Sequence, residues 1–121
     1  MAFRSILAAL VLTGASAGSA VAWHNHLTKS TPAANEKVAT SPAMIRLWFA
    51  EKPVPAFTSI SLLKPDSTKV EVSKTKATDD SLSVSAEVAQ KLAPGSYTVT
   101  WRTAGDDGHA IRGKYGFTVT Q

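Results

Sequence analysis

The sequence predicts an all-β fold, a seven-stranded Greek-key β-sandwich, and three observations carry that expectation. Apolar residues recur at every second position from residue 44 onward, helical periodicity is nearly absent, and Pro, Gly and Asp clusters punctuate the alternating runs. Successive strand side chains point to opposite sheet faces, so each alternating run supplies one apolar face.

The first strand is expected near Leu27 to Thr31. Ile45, Leu47 and Phe49 then alternate with Arg46 and Trp48. The same phase returns in Ile60 and Leu62, in Val70 and Val72, and in Leu82 and Val84. Tyr97, Val99 and Trp101 alternate with Thr98, Thr100 and Arg102, and Tyr115, Phe117 and Val119 close the series. Turn signals separate the runs: Ser41-Pro42, Lys52-Pro53-Val54-Pro55, Lys64-Pro65-Asp66, Ala93-Pro94-Gly95 and Gly105-Asp106-Asp107-Gly108. Short strands spaced by turns in this way are the pattern of a sandwich. Glu87 to Leu92 is expected to form a single helical turn.

The chain has 121 residues, the length of one domain. Its start reads as a signal peptide over residues 1–22: Arg4 is the charge, Ile6 to Leu12 the apolar run, and Ala20 and Ala22 the small residues of a cleavage site. The apolar run is too short to span a bilayer, which needs about 20 residues. An exported domain over residues 23–121, outside the cytoplasm and beginning at Trp23, is therefore expected, and it is expected to be a monomer. It contains no cysteine, so its core has to form without a disulfide and a thiolate metal site is excluded. The net charge is +4, but the lysines are scattered and no aromatic residues interleave with a basic run, which argues against a nucleic-acid partner.

All three histidines fall in two short clusters. His24 and His26 stand at i, i+2, which in an extended strand places both on one side about 7 Å apart. Asp107 and His109 share that spacing. If the first strand and the loop before the last strand meet at one end of the sandwich, up to three imidazoles and a carboxylate converge. Neutral imidazole with carboxylate suits copper(II). Glu51, just past the Ile45 to Phe49 run, is a possible oxygen donor from a third direction. Met44 reads as packing; without cysteine or a methionine cluster, a separate copper(I) site is not expected. Trp48 and Trp101 read as core or sheet-face aromatics. No G-x-S-x-G elbow occurs, so nucleophilic catalysis finds no support. Two other classes stay open from the residues alone: a metal-free interaction module of the envelope, and a copper monooxygenase built on a histidine brace.

The segments His24-Asn25-His26-Leu27, Ser30-Thr31-Pro32-Ala33-Ala34-Asn35, Leu47-Trp48-Phe49-Ala50-Glu51, Leu92 to Trp101, Asp107-Gly108-His109 and Gly113 to Val119 together resemble the CopC family of periplasmic copper-resistance proteins. The resemblance runs in order through nearly all of the expected mature chain. It implies an immunoglobulin-like or cupredoxin-like Greek-key sandwich, carriage of one copper(II) ion per chain without enzymatic turnover, and work with a CopD-type membrane transporter. It also implies ligand roles for His24, through amine and imidazole, and for Asp107 and His109. Glu51 corresponds to an acidic residue that helps in some members, and His26 to a histidine that is not always a ligand. The methionine-rich copper(I) segment of certain members is missing. Trp23 is a departure: cleavage after Ala22 makes His24 the second residue, not the first.

Overall fold

Alternating apolar residues close into two facing β-sheets in the structure, a computed structural model that describes residues 25–104 and 108–121. Strands β1 (Leu27–Thr31), β3 (Met44–Phe49), β7 (Ser83–Glu87) and β6 (Lys76–Ala77) form the first sheet in that order. The second runs β2 (Lys37–Val38), β9 (Ala110–Val119), β8 (Gly95–Ala104), β4 (Ser59–Leu63), β5 (Lys69–Val70). Every pairing is antiparallel except β2 with β9. All seven expected strands are present. The two additions are β2 and β6, each only two residues long and so too short to show a period.

The core forms where the inward phases meet. Ile45, Leu47 and Phe49 from β3 face Leu62, Val99, Phe117 and Val119 from the second sheet, all at most 2% exposed. Each such side chain contributes about 1.5–3 kcal/mol by leaving water. Tyr97 stacks on Phe117 at 5.7 Å, and its hydroxyl donates to the Ala93 carbonyl at 2.7 Å, pinning the turn that enters β8.

Two expectations are corrected. Glu87 to Leu92 is not a helical turn: Glu87 ends β7, Val88 bridges to Val72, and the rest is irregular. The alternation read at Leu82 and Val84 does not describe β7, where Leu82 is 40% exposed and Ser83 through Ala86 are all buried. β7 is paired on both sides, and its outward serines are covered by neighbours. Arg46 Nε donates to Ser83 Oγ at 3.1 Å, and its Nη2 reaches Thr78 Oγ1 and Asp79 Oδ1, both at 3.2 Å. Trp48 lies on this outer face with Lys29 and Arg46 each within 4.6 Å of its ring centroid, while its Nε1 donates to Asp80 at 3.2 Å.

Tyr115 is the one buried side chain among the described residues whose polar atom has no hydrogen-bond partner. Burial pushes its phenol up to about 12; Ser30, near but not in hydrogen-bond geometry, opposes the shift and Glu36 adds to it. An unfolded phenol ionises near ~10, so between that value and the folded one the folded state binds more protons. Stability is therefore fully present below about pH 10 and falls as pH rises through the window. Tyr115→Phe is expected to melt at or above the wild type at neutral pH and to lack this alkaline loss. Equal loss of melting temperature in both proteins between about pH 9 and pH 11 would contradict the assignment.

Candidate metal centre

Strand order collects several chain segments at one end of the sandwich. β3 ends at Phe49, which pairs with Leu27, the first residue of β1. β4 begins at Ser59 opposite Arg102, and the β8–β9 hairpin closes just beyond the Ala104 and Ala110 pair. The start of β1, the end of β3, the 50–58 connection and the turn between β8 and β9 therefore share this end.

Two contacts hold this end together, the first between the sheets and the second within the second sheet and its connection. The Phe49 and Trp101 rings meet edge to face, 5.2 Å between centroids. The Thr58 and Thr103 hydroxyls bond at 2.9 Å in a buried setting, and Thr58 Oγ1 also donates to the Val54 carbonyl at 2.8 Å. The second contact fixes the 50–58 connection, with its 3-10 turn Pro55–Phe57, against the last residues of β8.

Asn25 holds the N-terminal segment in place. Its side chain is buried and bonds both backbone groups of one residue: Nδ2 donates to the Glu51 carbonyl at 3.0 Å, and the Glu51 N–H donates to Oδ1 at 2.8 Å. Ala50 N–H adds a bond to the His26 carbonyl at 2.9 Å. The β1–β3 pairing thus continues past the strand ends and fastens the residues around His26 to those around Glu51. Asn25 and Leu27 take the inward phase, so His26 lies on the solvent side of this segment.

His109 sits between Gly108 and the first residue of β9. Gly108 has φ of +77°, a left-handed conformation that glycine adopts without a Cβ penalty. His109 shares the phase of Ile111, the next inward position of β9. His26, Glu51 and His109 are all exposed and belong to the same end of the sandwich. His24 and Asp107 lie outside the described residues. Among the described residues alone, no group of three or more His, Cys, Asp or Glu side chains is placed to hold a metal ion. Trp48 and Trp101 take the sheet-face and core places expected of them. Reading the sequence for chemistry gave Asn25 no role; its only signal is a short amide between two histidines, ahead of a strand.

A CopC domain family model matches residues 27–120. Protein YobA of Escherichia coli (strain K12) is 33% identical over 118 residues, covering 96% of this chain and 95% of the relative. Copper resistance protein C of Xanthomonas campestris pv. juglandis is 32% identical over 125 residues, covering 98% of both. The crystal structure of CopC from Methylosinus trichosporium OB3b superposes with a TM-score of 0.74 at 36% identity, over 80% of this chain and 94% of that one.

Proposed function

Because this chain belongs to the CopC family, we propose that it is an exported carrier or buffer of copper(II) in the periplasm, serving copper resistance and homeostasis. The relative named for copper resistance covers nearly the full length of the chain, which supports a copper-related role. The observation that supports the finer reading is that the clipped N-terminal segment and His109, just ahead of β9, lie at one end of the sandwich.

Copper is cargo in this reading, one ion per chain. His109 and Asp107 supply imidazole and carboxylate from the β8–β9 turn, and His24 supplies nitrogen from the N-terminal segment. Glu51 and His26 are supplementary donors beside them. With His26, Glu51 and His109 exposed, a set of this kind suits release to a partner, here a CopD-type membrane transporter, and calls for no catalytic turnover. With residues 1–22 removed, the chain begins Trp23-His24. The Trp23 amine, the intervening amide nitrogen after deprotonation and the His24 imidazole then chelate together. That would raise the nitrogen count from this segment and leave Asp107 a weaker donor.

The test is copper(II) titration of the exported protein, with its mass measured and its EPR spectrum recorded. We expect a mass starting at Trp23, one ion per chain, and nitrogen hyperfine structure from a mostly nitrogen equatorial set. Binding weakens on acidification because imidazole coordinates only when neutral. A mass starting at His24 overturns the three-nitrogen chelate, and no saturable copper binding overturns the carrier reading.

A further inference from the structure

The outer face of the second sheet carries an unbalanced set of cations beside the turn that holds His109. Arg102 and Arg112 are directly opposite each other in the β8–β9 ladder, and Lys114 pairs with Thr100 one step further along the same face. All three cations are exposed. Between them and the hydroxyls of Ser59, Ser61 and Thr100 lies a shallow depression of about 390 Å³.

No acidic residue stands in β4, β8 or β9. The two ion pairs found among the described residues, Arg46 with Asp79 and Lys76 with Glu87, both belong to the first sheet and its connections. Like charges directly opposite across a ladder destabilise a sheet. The Arg102 and Arg112 pair therefore works against the fold and makes a local positive potential that no described residue on its own face neutralises. Guanidinium forks beside hydroxyl groups match carboxylates bidentately, which a lysine cluster does less well.

From this juxtaposition we infer that the β4–β8–β9 face is the docking surface for an acidic patch on a partner protein. Arg112 is three residues from His109, about 10 Å along the strand. A partner seated on this face reaches the metal-bearing turn without covering it. Charge complementarity of this sort governs encounter rate and orientation more than final affinity, as suits a contact that must also dissociate. Three cations on a flat sheet fall short of the four to eight basic residues of a lipid-binding cluster, so a membrane surface is the less favoured occupant. The inference does not depend on copper, because its test is metal-free.

The experiment uses the exported protein labelled with ¹⁵N, a fluorescent decapeptide of alternating Asp and Glu, and phosphatidylglycerol vesicles. At low ionic strength the peptide is expected to bind saturably and to shift the amides of Thr100, Arg102, Arg112 and Lys114. Arg102→Ser with Arg112→Ser should weaken it at least about tenfold, a loss of about 1.4 kcal/mol. That variant is expected to melt no lower than the wild type, since it removes a repulsion. Lys64→Ser with Lys91→Ser takes the same charge from exposed sites elsewhere and should change affinity less than about twofold. Equal losses in the two variants, shifts scattered over both sheets, binding to the vesicles alone, or binding to neither probe would each overturn the proposal.

Discussion

Replacing His109 with alanine is expected to lower copper(II) affinity by at least about 100-fold, because removing a ligand costs more than the 10–100-fold typical of its hydrogen-bonding supports. His109 is exposed, and the apo melting temperature of His109→Ala serves as the check that the variant still folds. Met44→Ala is the matched control. Met44 is 46% exposed and begins β3, at the opposite end of that strand from Phe49 and Glu51. Its loss should leave copper affinity unchanged. The coupling is also thermal: a ligand that binds only the folded state raises its melting temperature by mass action, so copper should stabilise the wild type and barely move His109→Ala. Equal copper affinity in wild type and His109→Ala would remove this turn from the site.

Gly113→Ala should be the most damaging small substitution in the second sheet. A Cβ at Gly113 would lie 2.4 Å from Trp101 Cζ2, 2.6 Å from Cε2 and 2.9 Å from Nε1. The indole cannot yield easily, since it is only 8% exposed and packs edge-on against Phe49. Overpacking typically costs 1–3 kcal/mol, and disturbing the aromatic pair adds about 0.5–1.5 kcal/mol. We expect a loss of about 3 kcal/mol, which for a domain of this size is a fall of roughly 10–20 °C in melting temperature. Trp emission should shift to the red as the ring is displaced. A variant that melts within about 2 °C of the wild type would show that the indole has room to move.

The strands were legible in the sequence wherever one face is buried and the other wet. In β3 the phase of Ile45, Leu47 and Phe49 survives intact, and in β8 that of Tyr97, Val99 and Trp101 does too. β7 misleads because a central strand hides both faces once Arg46, Trp48 and the Thr78 to Asp80 turn cover Ser83. β9 was read from Tyr115 onward, yet it starts at Ala110: its inward position at Gly113 has no side chain, and Trp101 from the paired strand fills the space. At the candidate site, histidine spacing and the Gly105 to Gly108 turn signal singled out two segments, and His26 and His109 from them lie at the same end of the sandwich. The Asn25 clip was invisible because it is made with backbone groups, which every residue has. The place of His26 on the solvent side of its segment likewise follows from Asn25 turning inward, and spacing alone does not give that direction.

The short strands at the sheet margins have a consequence for how copies of this protein meet one another. Of the four sheet margins, three are held by β2, β5 and β6, each only two residues long. The fourth is β1, whose ladder with β3 is interrupted between Leu27 and Lys29. Unpaired backbone on a long, flat margin invites another chain to add its own strand, which leads to aggregation. Here β2 pairs only with Thr118 and Val119 of β9, so the open stretch of that margin runs from Ala110 to Phe117, where Arg112 and Lys114 blunt it. Neighbouring copies that approach this stretch meet charged side chains first, which works against strand addition.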